Sequence, residues 1–266
     1  MTDISASQVK ELRERTGAGM MDCKRALVET GGDIDEAITL IRERGLAQAA
    51  KKAGRETTEG KVVFDISTEN VGAMVAVGCE TEPVAKSDEF RAFGKKVLDL
   101  VEAEGIEASS QLEEERVELT AKLGENIAVA GAARFEAVDG GTIAAYAHPP
   151  ANKLGVLVHV RGGDGDLGRK LAMHIAASSP QWVAREDVPE ESIATEREIF
   201  ANTDEVQKKP EQAREKIVEG MLNKRFFGAN VLAEQEWIHD GSQTVGKVLA
   251  DAGAEVLEFQ RFSLAG

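Results

Sequence analysis

A chain of 266 residues with 42% hydrophobic and 30% charged residues suits two or three small soluble domains, and no run approaches the roughly 18 apolar residues of a membrane span. The net charge of −15 falls entirely on residues 57–266, because residues 1–56 carry ten basic and ten acidic residues, and so acidic a body disfavours direct nucleic-acid binding. The opening residues form no apolar signal region, and Cys23 and Cys79 are too few for a disulfide framework, so we expect reduced thiols in the cytoplasm.

The first 56 residues predict a bundle of three short helices. The stretch SASQVKELRERTG can be capped by Ser5 or Ser7 and stops at Gly17. A second helix, MMDCKRALVETGG, ends at a double glycine, where a left-handed C-cap costs little. The third follows the N-cap candidate Asp33 and carries an i, i+3, i+4, i+7 apolar stripe. We expect residues 47–59 to form the linker after this bundle.

One stretch of this acidic chain is locally basic: IRERGLAQAAKKAGR, residues 41–55. It has two interpretations. One is a solvated helix face that runs into a linker, and the other is a cationic edge that faces an acidic partner. The sequence alone leaves both open.

The remaining chain predicts a duplicated α+β unit with the order strand, strand, helix, helix, strand. Residues 57–140 contain the strands KVVFDIS and VGAMVAVGC, joined by a turn at Glu69-Asn70, and later the strand NIAVAGAARFEA. Residues 141–188 and 229–266 contain the strands GTIAAYAH and LGVLVHVRG, and then TVGKVLADAGAEVLEFQRFS, a helix followed by a strand. This order predicts two antiparallel sheets with helices on one side of each.

A predicted helical hairpin, residues 189–228, interrupts the second copy. Two charged helices flank KKPEQ, where Pro210 suits the first turn of the second helix. So narrow an apolar stripe barely buries itself, and we therefore expect the hairpin to project from the body or to meet a partner. The stripe consists of Ile193, Phe200, Ile217 and Met221.

No motif for catalysis or metal binding stands out. None of the four histidines has metal-ligand spacing, and His174 is interpreted as a packed core residue. The stretch GDGDLG, Gly163 to Gly168, matches the dinucleotide-binding pattern G-x-G-x-x-G. However, Asp164 and Asp166 would repel a pyrophosphate, and no second parallel strand follows the helix. We therefore interpret the stretch as a turn in which one of these aspartates is the helix N-cap.

The stretch ETEPV, residues 80–84, places two carboxylates at a strand-to-helix corner. No motif ties another acidic residue or a histidine to Glu80 and Glu82, so they do not make a convincing metal pair. An acid/base pair would need a pocket that the sequence does not indicate. We predict no catalytic residue, no bound metal and no cofactor, and interpret the corner as a surface that holds another protein.

A series of short motifs along the chain resembles a known protein family. VKELRERTGAGMMDCKRAL with GGDIDEAI opens the series, and CETEPVAKSDEF, LGENI, AYAH, GVLVHV, MHIAAS, KPEQAREKIVEG and TVGKVL follow along almost the whole chain. Together they resemble the bacterial elongation factor Ts family, in the order that the family has them. The resemblance implies an α+β fold with a ubiquitin-associated-like three-helix head, a core of two related subdomains and a helical hairpin.

The resemblance also implies a function, which is nucleotide exchange on elongation factor Tu, the GTPase that delivers aminoacyl-tRNA. Such a factor catalyses no covalent change. It binds the GTPase in a state that holds GDP and Mg²⁺ poorly, so that GDP leaves faster. In the family, the tip after the first hairpin pushes into the GTPase and displaces Mg²⁺. Here the tip corresponds to Thr81, Glu82, Pro83 and Val84.

Two further partner-binding regions follow from the resemblance. His148, in AYAHPP, corresponds to a histidine that helps to disturb the phosphate-loop side of the GTPase, and the prolines after it favour a loop. The head would grip the GTPase through Arg13, Met20, Met21 and Lys24. Adjacent helical residues point about 100° apart, so at most one of the two methionines can pack between the head helices.

The tip departs from the family pattern, which usually reads Thr-Asp-Phe-Val. Glu82 keeps the carboxylate one methylene longer, and Pro83 replaces the aromatic ring. Two other functions stay open: an exchange-inactive binder or chaperone of the GTPase, and a nucleotide-dependent enzyme built on GDGDLG. The family's hairpin is often used for dimerisation, so a homodimer through residues 189–228 is a further expectation, and no membrane contact is expected.

Overall fold

The computed structural model describes residues 4–68, 70–138 and 140–264. The predicted turn residue Glu69 lies outside these ranges. Within them, no helix combines the length and the apolar character needed to cross a membrane. The architecture is α+β, as predicted: three N-terminal helices precede two small antiparallel sheets that carry further helices.

Three helices form the head: α1 (Ala6–Thr16), α2 (Met20–Glu29) and α3 (Ile34–Lys52). Of the two cap candidates, Ser5 caps α1, and its hydroxyl accepts from the Gln8 N–H while the Gln8 side chain accepts from the Ser5 N–H. Asp33 caps α3 as predicted. The helices enclose a small apolar core, made of Val9, Leu12, Cys23, Ala26, Leu27 and Ala37.

The third helix is longer than the sequence predicts, and it attaches the head to the rest of the chain. Residues 47–52, expected to begin a linker, continue α3, so only residues 53–58 are irregular before the first strand. A Cβ added at Gly45 would lie 2.7 Å from the Cβ of Ala121, so the second half of α3 packs closely on the helix that contains Ala121, Glu113–Leu123. This tertiary contact extends the helix where local composition favours a linker.

The first subdomain is one three-stranded sheet with its helices. Its strand order is β1-β2-β3, and both pairs are antiparallel. In chain order its elements are β1 (Glu59–Thr68), β2 (Val71–Cys79), α4 (Glu82–Ala85), α5 (Asp88–Glu104), a 3₁₀ segment (Ile106–Leu112), α6 (Glu113–Leu123) and β3 (Ala128–Glu136).

The second subdomain repeats this arrangement, with the strand order β4-β5-β6 and antiparallel pairs. The hairpin insertion lies between its helices. The elements are β4 (Gly141–Ala147), β5 (Leu154–Arg161), α7 (Gly165–Ser178), α8 (Glu190–Ala201), α9 (Asp204–Gln207), α10 (Glu211–Met221), α11 (Gly228–Asn230), α12 (Val245–Asp251) and β6 (Glu255–Ser263). Arg185–Asp187 and Leu232–Glu234 are 3₁₀-helical segments, and Leu222–Phe227 is a π-helical segment.

The two sheets, which with their helices we call the body, pack face to face with helices on their outer sides. Successive residues of β2 point to opposite faces. Val75 and Val77 pack under α5, whereas Met74 lies in a cluster with Leu157 of β5. In the same way, the neighbours of Leu157 on β5 pack under α7. Both central strands are therefore buried on both faces.

Two glycines let the sheets approach closely. A Cβ at Gly72 would lie 2.6 Å from the Cγ2 of Ile143, and one at Gly155 would lie 2.4 Å from the Cγ1 of Val62. Real Cβ atoms do not tolerate such distances, so larger side chains would push the sheets apart. Small residues on the facing strands thus set the spacing between the two subdomains.

The basic stretch of residues 41–55 faces acids of its own chain. The Nη2 of Arg42 lies 3.1 Å from the Glu118 carboxylate on α6, and the Nη1 of Arg55 lies 3.2 Å from the Glu80 carboxylate. The acidic neighbours of these two arginines are therefore intramolecular, and both interpretations of the basic stretch stay predictions.

The inserted hairpin buries its apolar side chains in a core that it shares with the flanking residues Val188 and Val231, so the expectation that it barely buries itself is wrong. Besides the two long helices, α9 and the π-helical segment Leu222–Phe227 contribute buried side chains to this core. Pro210 is the N-cap of α10, one residue before the predicted first turn. A second copy is not needed to cover this core, and the homodimer stays a prediction. The buried residues are Val188, Val206, Val218, Met221, Leu222, Phe226, Phe227 and Val231.

Two interpretations of residues in the second subdomain are confirmed, the N-cap role of an aspartate in GDGDLG and the core position of His174. The Asp164 carboxylate accepts from the Leu167 N–H at 2.8 Å, so it is the N-cap of α7. His174 is fully buried: its Nε2 donates to the Gln235 Oε1 and its Nδ1 accepts from the Ile238 N–H. Burial lowers the pKa of His174, so the imidazole is a neutral part of the core.

We expect Leu157→Ala to lower the free energy of unfolding by about 2–5 kcal/mol, because it opens a cavity between the two sheets. Val138→Ala is the control, since this valine is 52% exposed and its truncation should cost no more than about 0.5 kcal/mol. Urea unfolding of both variants measures the difference. Equal costs would contradict the description of this interface as the central core.

Candidate functional site

Two exposed loops lie at the same end of the body. One follows β2 and contains the tip, Thr81 to Val84, and the other follows β4 and contains His148. The start of β1 lies between them. Glu59 pairs with the last residue of β2, and the Nζ of Lys61 donates to the carbonyl oxygen of Ala151 at 2.9 Å. Strand pairing therefore brings two regions that are far apart in sequence to one edge.

The tip is a single helical turn. Thr81 is the N-cap of α4, and Glu82 and Pro83 occupy its first two positions, where a missing backbone N–H costs nothing. Thr81, Glu82 and Pro83 are exposed, Val84 is half-buried, and Ala85 is buried against the core under α5. Three of the four predicted tip residues thus form surface, and the fourth partly anchors the turn.

The Glu82 carboxylate is exposed and ionised. Its Oε1 lies 2.6 Å from the Nζ of Lys86, and this hydrogen bond, together with the charge of Lys86, holds the pKa of the carboxyl below its usual value. The charges of Lys153 and Lys61, on the His148 side, lower the pKa further. The Glu82 carboxylate is therefore stabilised by the positive charges of Lys61 and Lys153, which lie beside the second loop.

Glu80 has different partners from Glu82 and is only slightly exposed. Its Oε1 accepts from the Asn126 backbone N–H at 2.7 Å, and Arg55 lies 3.2 Å from its Oε2. The Asn126 hydrogen bond is the main reason why the pKa of Glu80 is lowered, and Arg55 adds to it. In the part of the chain that the structure describes, no group of three or more His, Cys, Asp or Glu side chains is arranged to hold a metal ion.

His148 is exposed in the loop that its prolines predict. Its Nδ1 lies 2.8 Å from the hydroxyl of Tyr146, which fixes one side of the ring. The backbone closes the loop, because the His148 N–H donates to the Leu154 carbonyl oxygen and the His148 carbonyl oxygen accepts from Asn152. The Nε2 makes no hydrogen bond to a described residue, so it can bind another molecule.

The head presents both methionines to solvent. Met20 is 55% exposed and Met21 is 66% exposed, so neither packs between the head helices. Met21, Lys24 and Val28 stand at i, i+3 and i+7 of α2 and share one face, which is both apolar and basic. Arg13 and Lys24 are exposed and form no ion pair with any residue that the structure describes.

Sequence reasoning missed one residue that contacts the tip. The Glu125 Oε1 accepts from the Thr81 hydroxyl at 2.5 Å, and its Oε2 accepts from the Thr81 N–H at 2.9 Å. The motif LGENI marked the stretch that contains this residue, but nothing in the sequence indicates that it reaches a strand end 44 residues away.

The family model described as Elongation factor TS matches residues 80–266 of the chain. Elongation factor Ts of Thioalkalivibrio sulfidiphilus is 44% identical over 273 residues, which cover 98% of this chain and 92% of that protein. Elongation factor Ts of Methylococcus capsulatus is also 44% identical, with the same coverage. Elongation factor Ts of Idiomarina loihiensis is 45% identical over 271 residues, which cover 98% of this chain and 91% of that protein.

The family model and these relatives, together with the α+β fold, define a class of protein, the translation elongation factors. Within that class, the chain belongs to the elongation factor Ts family. The resemblance seen in the sequence motifs is thereby confirmed over nearly the whole chain.

Proposed function

We propose that this protein is the guanine nucleotide exchange factor of elongation factor Tu and acts in the cytoplasm during translation elongation. The observation that carries the proposal is that the tip and His148 are exposed at one edge of the body in a chain of the elongation factor Ts family. A protein that binds a GDP-poor state of the GTPase more tightly than the GDP-bound state must, by linkage, weaken GDP binding.

The tip acts on the Mg²⁺ site of the GTPase. Glu82 brings a negative charge towards the groups that organise Mg²⁺ and phosphate, and Pro83 supplies a stiff apolar surface in front of it. His148 acts from the other loop on the phosphate-binding side, through the ring nitrogen that is not held by Tyr146. Both contacts weaken the hold on GDP without any covalent step.

The chain works as four units in this proposal. Residues 1–56 dock on the GTPase through Arg13, Met20, Met21 and Lys24, and residues 57–140 carry the tip. Residues 141–188 with 229–266 carry His148, and residues 189–228 form the hairpin. Exposed thioethers beside an unpaired lysine suit a partner surface that is apolar and acidic.

The test is the release of a fluorescent GDP analogue from elongation factor Tu, with and without the full-length protein. We expect release to accelerate as the protein is added and to level off at saturation.

One observation favours a second candidate, an exchange-inactive binder or chaperone of the GTPase: Pro83 stands where the family usually has phenylalanine. Saturable binding with an unchanged release rate would select this candidate and overturn the proposal.

The head is tested by Met20→Ala combined with Met21→Ala. Because both side chains are exposed in the free protein, we expect no loss of stability beyond about 0.5 kcal/mol. Burying them in the complex is worth about 1.5–3 kcal/mol each, so affinity should fall at least about a hundredfold. Ile106→Ala, a change at an apolar residue of the body that is 46% exposed, is the control. Wild-type affinity in the double variant would remove the head from the interface.

We expect His148→Ala to slow GDP release while the free energy of unfolding changes by no more than about 0.5 kcal/mol, as for other exposed residues. Tyr146→Phe is the matched control, because it keeps the imidazole and removes only the hydroxyl that holds Nδ1. A smaller effect of Tyr146→Phe would show that the ring itself acts. A large loss of stability in His148→Ala would instead assign the residue to the fold.

At the tip, we expect Glu82→Ala to reduce the rate of GDP release more than the affinity for elongation factor Tu. The reason is that the carboxylate acts on the GTPase conformation that holds GDP and Mg²⁺ poorly. Lys86→Ala is the matched control, since it removes the ion pair within the tip and leaves the carboxylate. Wild-type rates and affinities in Glu82→Ala would contradict the role of the tip.

Pro83→Phe measures the pocket that receives the tip. If the GTPase keeps room for the usual phenylalanine, a buried ring adds about 1.5–3 kcal/mol of binding free energy. If the pocket fits proline, overpacking costs about 1–3 kcal/mol. Affinity should therefore change in one direction or the other, and an unchanged affinity would mean that Pro83 does not contact the GTPase.

A further inference from the structure

At each of two corners of the first subdomain, a glutamate side chain accepts hydrogen bonds from the backbone of the other corner. Glu125, at the corner between α6 and β3, accepts hydrogen bonds from the backbone N–H groups of Glu80 at 3.2 Å and of Thr81 at 2.9 Å. In return, Glu80 accepts a hydrogen bond from the backbone N–H of Asn126 at 2.7 Å. Charge-assisted hydrogen bonds therefore join the two corners in both directions.

The hydroxyl of Thr81 takes part in the same arrangement. An N-cap threonine ordinarily uses its oxygen to accept a backbone N–H of the helix that it begins. Thr81 begins α4 without such a bond. Its Oγ1 lies 2.5 Å from the Glu125 Oε1 and donates to that carboxylate. Glu125 thus takes hydrogen bonds from three groups at the start of the tip.

A buried amide extends this network to the linker after α3. Asn126 is only 4% exposed, and its Nδ2 donates to the carbonyl oxygen of Arg55 at 2.8 Å. The guanidinium of Arg55 is more exposed, and its ion pair with Glu80 is a surface contact. The backbone of the linker is therefore held more firmly than the Arg55 side chain.

We propose that Glu125 is a positioning residue for nucleotide exchange, which fixes the tip turn so that Glu82 and Pro83 meet the GTPase in one orientation. This rests on the proposed function. A helix of one turn does not hold its own shape, because nucleation is unfavourable and few hydrogen bonds follow it. Contacts from outside α4 must fix it, and the carboxylate of Glu125 supplies those at its N-terminus. Without them, the entropy lost on ordering the tip would oppose formation of the complex in which the GTPase holds GDP poorly.

The test compares four variants of the full-length protein. Glu125→Ala removes the carboxylate, and Glu125→Gln keeps its shape and one accepting oxygen without the charge. Arg55→Ala removes only the exposed ion pair, and Glu107→Ala is an exposed Glu→Ala control at another corner of the same subdomain. Hydrogen exchange of the backbone amides of residues 80 and 81 is measured in the free protein. The maximal rate of fluorescent GDP release and the affinity for elongation factor Tu are measured separately.

For Glu125→Ala we expect amide protection at residues 80 and 81 to fall about tenfold or more, as for the loss of a hydrogen bond to a charged group. The maximal release rate should fall about tenfold as well, with a smaller change in affinity. Glu125→Gln should recover part of both, Arg55→Ala should lose less than Glu125→Ala, and Glu107→Ala should match the wild type. If Glu125→Ala does not fold, as judged by circular dichroism, Glu125→Gln carries the comparison.

Unchanged protection and release in the Glu125 variants would overturn the proposal. So would lost protection with an unchanged maximal release rate, because Glu125 would then order the turn without positioning it for exchange. A wild-type protein that does not accelerate GDP release contradicts the proposed function, and with it any positioning for exchange. Amide protection would still show in that case whether Glu125 holds the turn, so the two failures are distinguishable.

Discussion

The face-to-face packing of the two sheets is the constraint on which the rest of the structure depends. Because β2 and β5 are covered by helices on one side and by the opposite sheet on the other, a slip of one residue would exchange the two sets of side chains. Val75 and Met74 cannot trade places without disturbing both cores. The register of each central strand is therefore fixed, and so are the positions where the strands end. The tip and the His148 loop lie side by side because those ends are fixed.

The corner between α6 and β3 connects the parts that this packing leaves separate. Gly124 accepts a hydrogen bond from the Nζ of Lys52 at the end of α3, at 2.6 Å. The next residue, Glu125, holds the tip, and Asn126 holds the linker backbone. Three consecutive residues thus contact the head, the tip and the segment between them. The acidic surface of α6 serves the same purpose, since it attracts the basic side of α3 and offsets part of the repulsion within an acidic body.

Features that depend on local signals could be predicted from the sequence, and features that depend on distant contacts could not. The N-caps Asp33 and Asp164, the duplicated strand order and the buried His174 follow from patterns within a few residues. The extension of α3 beyond residue 46, the closed core of the hairpin and the target of Glu125 depend on segments that meet only after folding. Helical geometry excluded two inward methionines, but the exposure of both also required the packing of the head core, which takes up no methionine.

The altered tip gains a physical interpretation from its surroundings. In the proposed function, the tip can deform the GTPase only if it keeps its own shape. In the proposed function, a phenylalanine at this position would supply binding free energy through its large apolar ring. Here the ring is absent, and the turn is instead held at its start by a carboxylate, at its second position by the fixed φ of Pro83, and at its end by buried Ala85. Ordering is then completed during folding and does not oppose docking. In the proposed function, preorganisation of the tip would thus offset part of the apolar contact area that Pro83 gives up.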